Sequence, residues 1–310
     1  MRSEGEVDMA YQLAPTGLAA KQEHEQERRV GRFAETRGIR AARVLFRLLC
    51  AVAPGMAARA GYALLARPPR PPESRWQTVL REKARSWRLA DGMTDLVVYE
   101  WGRGPVVLLV HGWGSHALHM GRMVNPLVKA GFRVVAFDAP AHGRSAGTET
   151  DMIAFASAIA AVASRVGPLH AVIGHSFGAA MALYAQRDWG VHAGRLVLVS
   201  AFDHCNWFIE AFGAHVGLSH AVLERMRQEL VRRYGGRFDW GRMSVADMLR
   251  HCPVPALVVH DEGDEEVPFQ HGLALVCVSQ HAELLATRGC GHQRLVRNPP
   301  VIQRIVQFVA

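Results

Sequence analysis

The chain is poor in cysteine, with Cys50, Cys205, Cys252, Cys277 and Cys290 the only five in 310 residues, and no two of them form a Cys-x-x-Cys pair. Such scattered, odd-numbered spacing supports neither a disulfide framework nor a zinc site and fits a reducing compartment. Long apolar runs are missing as well. The stretch from Ala42 to Ala66 is broken by Arg43, Arg47, Pro54, Gly55 and Arg59. Its longest charge-free run, Leu48 to Ala58, is about half of the ~20 residues that a membrane span requires. No secretory signal is expected, because a short basic region followed at once by an apolar one is absent near the start.

Acidic residues are absent from Thr36 to Pro72, where Arg37, Arg40, Arg43, Arg47, Arg59, Arg67 and Arg70 recur. The excess of positive charge lies wholly at this end: residues 1–90 carry 17 Lys and Arg against 9 Asp and Glu, and the remaining 220 carry 19 of each. No interleaving of aromatic with basic residues and no helix-turn-helix pattern accompanies it, so no nucleic-acid partner is expected. Residues 1–36 are polar and charge-rich and read as a disordered or frayed arm. Residues 37–72 read as a basic amphipathic helical extension ending in the stiff connector "RPPRPP". On a helix, Arg40, Arg43 and Arg47 share one face, and Ala42, Leu45, Phe46, Leu49 and Val52 share another. Two fates follow for residues 37–66. The stripe lies in an anionic membrane surface, or it docks on the rest of the chain. The expected location is the cytoplasm, at the inner membrane surface in the first case.

Residues 73–310 form the main domain, and no internal repeat is evident. "SWRLAD" and "DLVVYEWG" alternate like half-buried strands, whereas "PVVLLVHG" and "FRVVAFDAP" are continuous apolar runs typical of strands buried on both faces. Helical spacing follows in "HALHMGRMVNPLVKAG" and "DMIAFASAIAAVASRVG". The alternation continues through "HAVIGH", "RLVLVS", "PALVVHD" and "ELLATRG" to a terminal helix at "PVIQRIVQFVA". This rhythm predicts an α/β fold, a mostly parallel twisted sheet with helices on both faces. Between "RLVLVS" and "PALVVHD" the connection is far longer than one crossover helix needs. Three helical stretches fill it, predicting a small helical lid at about 201–254.

Reacting groups in such sheets collect at the carboxyl ends of strands. There, "GHSFG" places Ser176 between Gly174 and Gly178 at a strand-to-helix turn, a setting that aims a strained serine hydroxyl outward. With this elbow, "VLLVHGWGS" (107–115), "FDAPAHGRS" (137–145) and "CGHQRLVRNPP" (290–300), the chain from about residue 87 onward resembles the α/β-hydrolase family.

That resemblance implies a serine nucleophile, an acid and a histidine in chain order. Ser176, Asp264 and His292 follow it. Asp261, Glu262, Glu265 and Glu266 crowd the same loop as Asp264, and Asp203 follows the preceding strand, where some relatives place the acid. The resemblance further implies an oxyanion hole from the backbone N–H groups of Trp113 and Phe177, and no catalytic role for the 137–145 loop. Lid residues Trp207, Phe208, Phe212 and Trp240 line an apolar acyl pocket or pack on one another.

Among the other histidines, His111 is expected to be structural, His175 to point away from the site and His142 to be exposed. His116 and His119 lack an evident third ligand for a metal. No metal or organic cofactor is implied. The expected partner is a small-molecule or lipid-like ester or thioester, with carbon–carbon hydrolysis of diketone-like compounds behind it, and no oligomeric state is implied. The rival readings are a non-catalytic binding protein of the same fold and an acyltransferase using the same residues.

Overall fold

The structure, a computed structural model, describes residues 37–90, 95–235 and 238–310. The charged arm expected at residues 1–36 lies outside the described residues. Eight strands form one sheet: β1 (Arg85–Ala90), β2 (Asp95–Trp101), β3 (Val106–Val110), β4 (Arg133–Asp138), β5 (Leu169–His175), β6 (Ala193–Val199), β7 (Ala256–Asp261) and β8 (Ala282–Thr287). Their order is β1-β2-β4-β3-β5-β6-β7-β8. All pairs from β4 to β8 are parallel, and only β2 runs against its neighbours β1 and β4. The expected α/β architecture is therefore present.

Because side chains alternate along a strand, the apolar runs feed two cores, one on each face. Leu108, Val110, Val135, Phe137, Val172, Leu198 and Val258 pack on one face. Val107, Leu109, Val134, Ala136, Ile173, Val197 and Val259 pack on the other. The helices Met152–Val166 and Phe177–Asp188 cover the first face, and Pro299–Val309 covers the second. The stretch read as one helix near residues 116–130 is instead a 3-10 segment, Ala117–Met123, followed by a short helix, Val124–Lys129. Gly121 explains part of this: a Cβ there would lie 2.5 Å from Leu80, so the chain must pass close to the Arg75–Glu82 helix. Pro126 then supplies no N–H for a continuous α-helical ladder.

The registers put the ends of three strands level. His175 stands opposite Val199, and Val199 opposite Val259. The loops after β5, β6 and β7 thus leave one edge of the sheet. The β6–β7 connection rises from it as helices α1 (Cys205–Val216), α2 (His220–Arg233) and α3 (Val245–Arg250), with a 3-10 turn, Trp240–Arg242, before the last.

Against this helical insert lies the N-terminal extension, helices α4 (Arg37–Val52) and α5 (Pro54–Ala66). Phe46, Ala57, Ala58 and Leu65 are buried members of the first core, with Ala42, Leu49 and Cys50 packed beside them. Arg43 Nε donates to the carbonyl of His215 in α1 at 3.1 Å. Leu45 and Val52, assigned by periodicity to the same face as Phe46, instead point to solvent. The "RPPRPP" connector then crosses the sheet edge: Arg70 donates to the carbonyls of Ala141, Gly143 and Gly147. Among the described residues no helix is long and apolar enough to cross a membrane.

Candidate active site

Ser176 sits between β5 and the Phe177–Asp188 helix with φ 53° and ψ −121°, a conformation that L-residues rarely adopt. Its N–H donates to the carbonyl of Val199 at 2.8 Å. Close approach of backbones, not positive φ, explains the flanking glycines. A Cβ on Gly174 would meet Ala179 Cα at 2.5 Å, and one on Gly178 would meet the carbonyl oxygen of His111 at 2.2 Å.

His292 lies on a short turn of helix, Gly291–Arg294, beyond β8. Its Nδ1–H donates to Asp264 Oδ2 at 2.8 Å, and both side chains are buried. Asp264 Oδ1 accepts from the N–H groups of Glu266 and Val267 at 2.9 and 2.8 Å. Burial alone would push the carboxyl up. The hydrogen bond and charge of His292, with the Val267 N–H, outweigh it and hold Asp264 below the usual carboxylate range. For His292, burial disfavours the imidazolium, but Asp264, with a smaller contribution from Glu266, raises its pKa above the ordinary 6.5.

The neighbouring acids are sorted by their partners. Asp261 accepts from Thr287 Oγ1 and the Cys290 N–H, stapling the histidine loop to β7. Glu262 pairs with Arg288. Glu266 accepts from Gln293 and stands 3.8 Å from His292 Nε2. Asp203 faces a different histidine, His271, whose Nδ1 is 2.8 Å away.

Gly112 brings the loop after β3 against the elbow, for a Cβ on it would lie 3.3 Å from Ser176 Cβ. Two neutral histidines brace this loop. His111 Nε2 accepts from the Ala139 N–H, so its Nδ1–H donates to Gly112 O, and burial pushes its pKa down to about 4. His142 Nε2 accepts from the Gly114 N–H while Nδ1–H donates to Pro140 O. The expectation that His142 is exposed is thus corrected: it is fully buried, and burial holds it well below 6.5. His175 also differs from expectation. Its ring packs 4.8 Å from that of His292, and its Nε2 lies 3.1 Å from the His292 carbonyl oxygen. Among the described residues, neither the Trp113 nor the Phe177 N–H has a hydrogen-bond partner.

Asp138, in the third motif, is structural. It accepts from Tyr99 OH and from the N–H groups of Ala117 and Arg144. Of the histidine pair near it, His119 is faced at Nδ1 by the Arg297 guanidinium, 2.9 Å away, a poor setting for a metal. Among the described residues no group of three or more metal-binding side chains occurs.

An apolar cavity opens beside the elbow. Its lining includes Trp113, Phe177, Phe208 and Ile209 of α1, Met226 and Leu230 of α2, and Tyr62, Leu65 and Ala66 of the extension. The rings of Trp113, Phe177 and Phe208 are mutually packed at 4.8 to 5.6 Å. Trp240 also reaches it, whereas Trp207 packs on Phe202 and His271 and Phe212 lies against the core away from the cavity lining. The contribution of the extension was not legible in the sequence, since nothing local to residues 62–66 marks which distant loop they meet.

A family model described as the alpha/beta hydrolase family matches residues 107–302. Over 249 residues the chain is 26% identical to a non-heme haloperoxidase of Rhodococcus erythropolis, covering 66% of this chain and 90% of that protein. It is 25% identical over 229 residues to a bifunctional esterase/perhydrolase of Acinetobacter calcoaceticus, covering 58% and 82% respectively. Among solved structures, a membrane phospholipase A described as a bacterial virulence factor superposes with a TM-score of 0.59 at 19% identity, over 86% of this chain and 96% of that one.

Proposed function

The chain belongs to the alpha/beta hydrolase family and is an enzyme of that family, and from this premise we propose that it is a serine hydrolase cleaving carboxylic esters or thioesters with an apolar acyl part. Two observations carry this: the buried His292–Asp264 pair, 2.8 Å apart, and the serine held at positive φ at the end of β5. A hydroxyl is a weak nucleophile near neutral pH and needs a base whose tautomer is fixed. Asp264 fixes it by accepting from Nδ1, leaving Nε2 free to take a proton.

In the proposed cycle Ser176 Oγ attacks the carbonyl carbon as His292 Nε2 removes its proton. The carbonyl electron pair moves to the oxygen, and the N–H groups of Trp113 and Phe177 stabilise that oxyanion, by about 3–4 kcal/mol per donor. Collapse expels the alcohol or thiol, which takes the proton from His292. Water, deprotonated by the same Nε2, then attacks the acyl-enzyme, and the acid leaves with Ser176 restored. The apolar lining beside the elbow supports an acyl chain seated under the helical insert, which acts as a lid in this reading. The two relatives named for peroxide chemistry favour a second acceptor at the same acyl-enzyme: hydrogen peroxide in place of water, releasing a peracid.

A series of nitrophenyl esters and thioesters of rising chain length tests the reading. Expected is turnover by wild type that rises with acyl length up to the limit of the cavity, none by Ser176→Ala, and peracid only when peroxide is added. Equal turnover by Ser176→Ala would overturn it.

A further inference from the structure

The N-terminal extension uses only half of its apolar surface to dock. At about 100° per residue, Ala42, Phe46 and Leu49 of α4 turn inward, while Val44, Leu45, Leu48 and Val52 form an outward stripe. Those four have relative exposures from 59% to 80%. Helix α2 of the insert shows what a water-facing helix of this chain looks like: its exposed positions include Glu224, Arg225, Gln228 and Arg232. On α4 every exposed position is Gly, Ala, Val, Leu or Arg, and from Arg37 to Ala66 there is no Ser, Thr, Asn, Gln, Lys, Asp or Glu. Arg47 borders the stripe, and Arg59 is exposed on the next helix. Neither has an ion-pair partner among the described residues.

From this we infer that the outward face of α4 is a docking surface for an anionic lipid bilayer, with Val44, Leu45, Leu48 and Val52 among the acyl chains and Arg47 and Arg59 at the headgroups. An apolar stripe beside arginines with no acid is the pattern that interfacial helices use. A second copy of this face fits less well, because it would bring arginines to the interface and no carboxylate to meet them. The placement has a consequence for the site. Helix α4 rests on α1, whose Phe208 and Ile209 line the cavity, and α5 contributes to the same lining. A bilayer-bound enzyme would therefore hold its cavity about one helix diameter, ~10 Å, from the lipid.

The test uses the full chain, sedimented with phosphatidylcholine vesicles and with vesicles of phosphatidylglycerol and phosphatidylcholine in equal parts. Wild type should partition to the anionic vesicles about tenfold or more above the neutral ones. Leu45→Ser/Leu48→Ser/Val52→Ser should lose roughly tenfold or more of that binding. Arg47→Ser/Arg59→Ser, which disturbs no packed side chain, should lose about fivefold per arginine, and added salt should act in the same direction. Ser176→Ala should bind as wild type does, so that binding is read apart from the hydrolytic chemistry. The inference is overturned if wild type ignores anionic vesicles, if neutral vesicles bind equally, or if neither set of substitutions weakens binding. Self-association in sedimentation velocity without vesicle binding would likewise overturn it and assign the stripe to a second copy.

Discussion

Replacing Asp264 with asparagine changes one atom and should remove most of the activity. Asp264 Oδ1 accepts two backbone N–H groups, from Glu266 and Val267, and Oδ2 accepts from His292 Nδ1. An asparagine in the same place keeps its oxygen on the two N–H groups, because its amide nitrogen cannot accept from them. The NH2 group is then forced toward His292 and donates to Nδ1. The imidazole proton moves to Nε2, the atom that must accept from Ser176. Folding should change little, since the backbone bonds survive, but kcat should fall by roughly 10⁴, or about 5.5 kcal/mol of transition-state stabilisation. Initial rates with a short nitrophenyl ester, beside circular dichroism of the variant, measure this. Asp203→Asn, whose partner is His271, should stay within about tenfold of wild type. A folded Asp264→Asn enzyme retaining more than about a tenth of wild-type kcat would refute the tautomer argument.

The pH profile follows from the raised pKa of His292: the neutral base is present above that pKa, so kcat/KM should fall as pH drops through a value above the ordinary 6.5. Glu266→Gln removes a carboxylate 3.8 Å from Nε2 and should move that limb to lower pH, which a rate–pH series reads directly. Gly178→Ala should abolish activity and lower the melting temperature by several degrees, because its Cβ would lie 2.2 Å from a backbone oxygen of the β3 loop. Phe46→Ala should cost about 3–5 kcal/mol in denaturant unfolding if the extension is part of the folded unit. Leu45→Ala, one residue away and exposed, should change stability by no more than about 0.5 kcal/mol.

Period and run length made the parallel sheet legible, because β3 to β7 are buried on both faces and so are apolar at nearly every position. The elbow was legible for a steric reason: only glycine fits where β5 and the following helix meet the β3 loop. Asp264 was less so. Five carboxylates share its loop, and which one meets His292 depends on backbone N–H groups that turn Asp264 inward. Burial of His142 and the packing of His175 against His292 arise from contacts between loops far apart in sequence, and no local pattern encodes them. The same holds for the extension. Helical spacing grouped Leu45 and Val52 with Phe46, yet the docked face is narrower than the apolar arc, and only the packed structure divides that arc into an inner and an outer half.

An activated Ser176 should react covalently with a serine-directed electrophile. Intact protein is incubated with a fluorophosphonate at pH 8 and the adduct located by peptide mass spectrometry. A single adduct on Ser176 is expected, absent from Ser176→Ala and formed far more slowly in Asp264→Asn. Folded wild-type protein that stays unlabelled, or a Ser176→Ala variant labelled to the same extent, would contradict it.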